Sequence, residues 1–400
     1  MTGPATSSLA PMFALTNEVR RYAWGSRTAM AEFLGKPSPT ADPEAELWIG
    51  AYPAEPSHVP DGRSLLQAID DDPAAMLGTA VAQFGPRLPF MMKVLAIGAP
   101  LSLQAHPDAT QAAQGFAAEE AAGIPVGDPI RNYRDERHKP EMLCALTRVE
   151  AFCGFRPVEE TIALLDELDL PELAGLRASL AGPGLRDSIG WVFDVADSEV
   201  AGTVSALAKS ATQVISGRHV DALQWISRLA DDYPEDRGVI LALLCEFVRL
   251  EPGQALVIPA GCLHAYLSGL GVEIMTESDN VLRGGLTAKH VDGVELQRVL
   301  NLSGEGARVL QGEVGAHGRT RFPCDIEEFD VNRHEITDRV VLEGNRPRLV
   351  LAVDGCARLH IEDGTELELP RGQAAFIAAA DGATAISGPA VVFEATTTSV

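Results

Sequence analysis

Between Pro157 and Leu250 the apolar residues of this chain keep a helical spacing, and on both sides of that stretch they keep the spacing of strands. Ile162, Leu165 and Leu168, and later Val239, Leu243, Leu244 and Phe247, recur at intervals of three and four, which places them on one helix face. Clusters of Asp, Ser and Gly divide this region into several helices. Outside it, short apolar or alternating runs closed by Gly and Pro read as strands and turns. The pattern predicts a mainly β protein with an α insertion, a helical domain at 157–249 lying between two β regions.

Four hundred residues exceed one ordinary core, so two or three domains are expected. A formal charge of −24 argues against non-specific nucleic-acid or anionic-membrane binding, since both need a basic surface. Against that field any cationic cluster becomes informative, because it must hold an anion locally. The six cysteines form no CxxC pair or zinc-finger spacing, so reduced, mostly buried thiols are expected. The N-terminus lacks a secretory h-region and no run of about 18 apolar residues occurs. The expected location is the cytoplasm. Residues up to about Pro11 read as a loose tail.

Chemistry gathers outside the helical region. In Leu101-Ser102-Leu103-Gln104-Ala105-His106-Pro107, alternation puts Ser102, Gln104 and His106 on one face of a strand and the aliphatic residues on the other. Gln104 and His106 offer a carbonyl oxygen and an imidazole nitrogen to one point, a donor set that suits zinc; the plainer reading is a half-polar strand with a hydrogen-bonded histidine. Asp108 is placed to cap a helix that stops near Gly123. The Leu65–Leu77 stretch reads as helix. Lys93 interrupts the nearly apolar strand from Leu88 to Ile97, which is costly unless it faces a polar cavity or an anion, or snorkels to the surface. Lys139 and Glu141 stand two apart at the start of the next strand and can point to one side.

After the helical region, Leu250-Glu251-Pro252-Gly253-Gln254-Ala255-Leu256-Val257-Ile258-Pro259-Ala260-Gly261 leads to His264. Strands punctuated by Pro-Gly turns with a histidine beyond the second turn are the pattern of a small cupin-like β-barrel. His264 is the third candidate ligand. A polar turn then presents Asp279 and Arg283, the latter equally readable as a surface arginine beside two glycines. Leu369-Pro370-Arg371-Gly372-Gln373-Ala374-Ala375-Phe376-Ile377-Ala378 repeats the Leu250 segment with the same Gly-Gln-Ala core, but Ala383 stands where the histidine would fall. Residues 311–400 therefore read as a second barrel without a metal site.

The ordered set Tyr22-Ala23-Trp24-Gly25-Ser26, Glu46-Leu47-Trp48, Leu88-Pro89-Phe90-Met91-Met92-Lys93-Val94-Leu95, the Leu101–Pro107 stretch, His138-Lys139-Pro140-Glu141, Pro259-Ala260-Gly261-x-x-His264 and Ser278-Asp279-Asn280-Val281-Leu282-Arg283-Gly284-Gly285-Leu286-Thr287 resembles the type I mannose-6-phosphate isomerases of the cupin superfamily. The resemblance implies one zinc ion per chain, held by Gln104, His106, Glu141 and His264. It also implies two cupin-type jelly-roll barrels: a catalytic one from 12–156 and 250–310, interrupted by the helical domain 157–249, and a C-terminal one at 311–400. The implied reaction interconverts mannose 6-phosphate and fructose 6-phosphate, with Arg283 and Lys139 at the reacting end and Lys93, Ser102 and Trp24 binding the substrate. Tyr52 departs from the histidine expected before Pro53, and the C-terminal barrel matches poorly.

Moving a proton between C1 and C2 passes through an enediolate, whose charge a Lewis acid and nearby cations stabilise. Glu273, Asp279, His138 and Lys139 are all bases by type, and residue types alone do not choose among them or exclude a hydride shift. The expected partner is a small sugar phosphate, with no nucleic acid or membrane, and the expected state is a monomer. The alternative is a non-catalytic sugar- or metal-binding cupin. A third reading, an iron cupin dioxygenase, would present a His-x-His pair where this chain has Gln104-Ala105-His106.

Overall fold

In the computed structural model, which describes residues 12–303 and 307–398, the strand-like stretches form two antiparallel sheets, of ten and eleven strands, and the middle of the chain is helical. The mainly β class with a helical insertion is thus observed; the tail expected up to Pro11 lies outside the described residues. No helix among them is long and apolar enough to cross a membrane. The chain divides into two compact units, one of Met1–Ala96, Gly271–Glu277 and Leu310–Val400, the other of Ile97–Leu270 and Ser278–Val309.

The first unit contains the ten-stranded sheet. Its long strand Arg348–Ile361 pairs with Ala374–Ile377 and with Ala390–Thr396, and the latter pairs in turn with Asp330–Ile336. The strand Met12–Leu15, expected in the first barrel, pairs with Ala374–Ile377 and so extends the C-terminal sheet. Met12 joins the same apolar core as Ile336, Val350, Ala375, Ile377 and Val392, and that burial fixes its register. Alternation brings a charged network to this face as well. Arg348 Nε donates to Glu394 Oε1 at 2.8 Å, His334 Nε2 lies 2.9 Å from Glu394 Oε2, and Asn332 Nδ2 donates to that oxygen at 3.3 Å.

Two sequence expectations are corrected in detail. The helix read over Leu65 to Leu77 is two, Leu65–Asp71 and Pro73–Leu77. Proline disfavours helical backbone in the residue before it, and Asp72 instead caps the second helix by accepting the Ala75 N–H. Helical spacing also overran its end: Phe247 belongs to the strand Cys245–Leu250, which pairs with Val149–Phe155 so that Phe247 faces Phe152. Ladder hydrogen bonds and that aromatic contact override the local period.

The second unit is built on helices whose apolar stripes, among them Leu164, Leu165 and Leu168, Val200, Val204 and Leu207, and Leu223, Ile226 and Leu229, share one core with the strand residues Leu103, Ala105, Phe152 and Ala265. Asp108 caps the helix Ala109–Ala121 with both halves of a capping box.

The sequence echo has a counterpart in backbone geometry. Gly253 (φ 89°) donates its N–H to Ala145 O at 2.9 Å, and Ala145 N donates back to Gln254 O at 2.9 Å. Gly372 (φ 84°) does the same with Ala352, at 2.8 Å, with the return bond to Gln373 O at 3.1 Å. Both turns need a residue that tolerates positive φ, which is why glycine recurs.

The buried Arg348–Glu394 pair yields a stability prediction. Burial raises the Glu394 pKa, but its His334 and Arg348 partners outweigh it and hold the carboxyl below its ordinary value. Arg348→Leu should cost about 3–5 kcal/mol, the range for stranding a buried charge, measured by urea unfolding at pH 7. A depressed folded-state pKa stabilises above the unfolded value and ceases to as pH falls, so the cost should shrink in acid. A loss that stays constant down to pH 3 would show that the pair is not what Arg348 contributes.

Candidate metal centre

Strand register brings the first three side chains together. The short strand Leu103–Ala105 runs between His264–Thr276 and Leu282–Gly285, with Gln104 directly opposite His264 on one side and Arg283 on the other. Directly opposed residues of antiparallel strands present their side chains to the same face. His264, Gln104 and Arg283 therefore form a row across three strands. The strand predicted over 101–107 is shorter than its alternation suggested, so Ser102 and His106 flank it. His106 is instead anchored by its backbone, whose carbonyl accepts the Gly261 N–H at 2.7 Å. Glu141 opens the strand Glu141–Ala145, opposite Ile258.

His106, Glu141 and His264 offer ligand atoms that all lie within 4.8 Å of one another, and all three are buried. The two imidazoles are oriented alike. His106 Nδ1 lies 2.7 Å from Asn280 O and His264 Nδ1 lies 3.0 Å from Cys262 O; a carbonyl only accepts, so each Nδ1 carries the proton and each Nε2 keeps its lone pair. Both Nε2 atoms point at Glu141, at 3.2 Å and 3.4 Å. Gln104 places its amide 3.5 Å from His264 Nε2. Among the described residues, His106 Nε2 and Glu141 Oε2 are buried polar atoms without a hydrogen bond. Orphaned lone pairs aimed at one point are costly unless something takes them up, and two imidazole nitrogens with a carboxylate and an amide fit a zinc ion.

The electrostatics act differently on the two imidazoles. Burial and then the Lys139 charge push His106 down to about 4, leaving it neutral at pH 7. Burial raises the Glu141 pKa, but Lys139, 3.1 Å away, and the two histidines outweigh it and hold the carboxyl well below its ordinary value. For His264 burial acts downward and Glu141 reverses it, so that its pKa is raised. Arg283 is lowered, first by burial and then by the Arg134 charge.

The remaining candidates are placed variously. Ser102 Oγ donates to Gln104 Oε1 at 3.4 Å. Asp279 forms an ion pair with Arg134 at 2.8 Å and is one-third exposed. In the other compact unit, Lys93 is 8% exposed, so it does not snorkel; its Nζ lies 3.7 Å from both Glu46 and Glu273 and 4.6 Å over the Trp48 ring. Trp24 stacks on Tyr22, and Tyr52 packs edge-on against Trp48.

Asn280 has a role that residue types did not reveal. Besides orienting His106 through its carbonyl, it accepts the Arg134 N–H with Oδ1 at 2.7 Å and donates Nδ2 to the carbonyls of Asp135 and Arg137, both at 2.8 Å. It thereby ties the loop that leads into Lys139 and Glu141 to the candidate ligand His106. A small amide in a polar turn gives no local sign of this; its place between Asp279 and Arg283 was the only pointer.

Residues 12–158 match the family model described as phosphomannose isomerase type I, catalytic domain. Over 385 aligned residues the chain is 35% identical to mannose-6-phosphate isomerase of Escherichia coli (strain K12), covering 94% of this chain and 97% of that one. It is 31% identical to mannose-6-phosphate isomerase 1 of Arabidopsis thaliana, over 86% of this chain and 84% of the other. The crystal structure of mannose 6-phosphate isomerase from Salmonella typhimurium bound to substrate (fructose 6-phosphate) and zinc superposes with a TM-score of 0.88 at 33% identity, over 98% of this chain and all of that one. With similarity of this extent along nearly its whole length, the chain belongs to the type I phosphomannose isomerase family.

Proposed function

We propose that this chain is a zinc-dependent aldose–ketose isomerase that interconverts mannose 6-phosphate and fructose 6-phosphate, with Gln104, His106, Glu141 and His264 holding one zinc ion. The observation that carries this reading is the convergence of two imidazole lone pairs on a buried carboxylate in a chain of this family. Bound there, zinc supplies Lewis acidity to the oxygens at C1 and C2 of the sugar. Lys139 and Arg283 add positive charge where the enediolate develops it, the first as a point charge and the second as a planar fork. The Gln104–Arg283 register fixes the backbone from which that fork reaches, which is the pre-organisation such stabilisation needs.

A proton must leave C2 and return to C1 on the way from aldose to ketose. Glu273, Asp279 and Lys139 are the proposed carriers, each held by a different counter-charge: Lys93, Arg134 and Glu141 respectively. Lys93, Ser102 and Trp24 are assigned to substrate binding. The same reading extends to architecture: a cupin-type barrel from 12–156 and 250–310 less the strand Met12–Leu15, a helical domain at 157–249, and a C-terminal barrel at 311–400 that the strand Met12–Leu15 joins. The matched glycine turns at Gly253 and Gly372 support two barrels of one kind. Six free thiols suit a reducing cytoplasm, and we take the active form to be the monomer.

His264→Ala should remove zinc and activity together, checked by metal analysis of the purified variant; retention of stoichiometric zinc would refute the ligand set. Free mannose should be turned over with kcat/KM at least about a hundredfold below its 6-phosphate, because a remote anionic group contributes binding used at the reacting centre. Comparable efficiency for the two sugars in a coupled assay would point to a free-sugar isomerase. Arg283→Ala should keep zinc, lower kcat on the order of a hundredfold or more, and change KM little, while Arg283→Lys restores only part. A raised KM at unchanged kcat would make Arg283 a substrate anchor instead.

A further inference from the structure

The strand that carries Arg283 ends at once in a turn with two residues at positive φ. Gly285 has φ 136° and Leu286 has φ 57°, and Leu286 is buried. A buried leucine keeps that sparsely populated conformation only where its surroundings over-determine it. Here they are supplied by the segment that opens the helix Gly238–Ala242. Asp236 Oδ1 accepts the Gly238 N–H at 2.7 Å, and its Oδ2 accepts the Thr287 N–H at 3.1 Å. The Gly238 and Gly285 backbones touch: a Cβ on Gly285 would lie 2.5 Å from both Asp236 Oδ1 and Gly238 Cα.

Packing holds the turn on one face only. A Cβ on Gly284 would meet Leu241 and Leu296 at 2.9 Å and 3.1 Å, but Gly284, Gly285, Thr287 and Asp236 also line a cavity of about 790 Å³. On that side the Asp236 carboxylate bridges the two segments, one oxygen accepting the Gly238 N–H of the helix and the other the Thr287 N–H of the turn. We propose that Asp236 is a positioning residue for Arg283, pinning the strained 284–287 turn to the Gly238–Ala242 helix and so fixing the point from which the guanidinium reaches the substrate. The inference rests on the role given above to Arg283.

A double-mutant cycle on the zinc-loaded full chain tests it, with kcat, KM and zinc content measured for Asp236→Asn, Arg283→Ala and the double variant. Asparagine keeps the volume but turns an NH2 toward one of the two N–H donors. Asp236→Asn should lower kcat on the order of tenfold to a hundredfold, the cost of a small misplacement, with KM and zinc content nearly unchanged. In the Arg283→Ala background the same change should alter kcat by less than about twofold, since the group it positions is gone. An equal fold-loss in both backgrounds, or loss of zinc from Asp236→Asn, overturns the proposal while leaving the role of Arg283 intact. If Arg283→Ala alone leaves kcat unchanged, the role of Arg283 fails and the positioning role fails with it. Should Asp236→Asn not fold, Asp236→Ser, whose single hydroxyl oxygen can accept from only one of the two N–H donors at a time, goes through the same cycle under the same criteria.

Discussion

Glu141 is a carboxylate buried among two imidazoles and an ammonium, and the rest of the second unit is arranged to make that tolerable. An isolated buried carboxylate would take up a proton; this one keeps its charge because Lys139 lies 3.1 Å away and both histidines aim at it. The histidines are held with their Nε2 atoms toward it by bonds from Nδ1 to two backbone carbonyls, of Asn280 and Cys262. Those carbonyls are positioned in turn by a loop clamp and a strand end. What looks like a cluster of four side chains is therefore a statement about backbone placement.

A second buried carboxylate in the chain shows what distinguishes such a centre from a structural network. Glu394, in the C-terminal sheet, is buried as Glu141 is, and is also flanked by a cation and a histidine. Both of its oxygens accept hydrogen bonds from Arg348, His334 or Asn332, so its charge is compensated within the protein. Glu141 Oε2 and His106 Nε2 have no such bond, whereas around Glu394 the orphaned atom is His334 Nδ1, on the side of the ring away from the carboxylate. The chemical difference is that in one place the carboxylate oxygen and the imidazole nitrogen facing it are both left over.

The cross-strand row His264–Gln104–Arg283 joins the proposed metal centre to the proposed catalytic arginine. Three neighbouring strands share one face at that level, so a proposed ligand and a proposed transition-state donor are set by one register. A slip of one residue in Leu103–Ala105 would turn Gln104 into the apolar core that now takes Leu103 and Ala105. The aliphatic residues of the strand thus fix its polar one, and packing supplies the precision the chemistry needs.

The class of fold, the helical interruption and the ligand types at Gln104, His106 and His264 could be read from period and spacing, because side-chain direction follows directly from backbone repeat. Lys139 beside Glu141 was legible as a pair for the same reason. The ends of elements were not: Phe247 and the Leu65–Leu77 stretch went wrong where a ladder partner or a proline overrode the local repeat. Nor could sequence place Met12–Leu15 beside Ala374–Ile377, since a strand's partner is chosen by burial and register at any distance along the chain. The sequence by itself determined which donors exist and which face each one takes. Only the tertiary structure decided that Asn280 orients His106, that Lys93 is buried between two carboxylates, and that Asp236 braces the turn after Arg283, because each depends on hydrogen bonds or ion pairs between segments whose meeting no local pattern encodes.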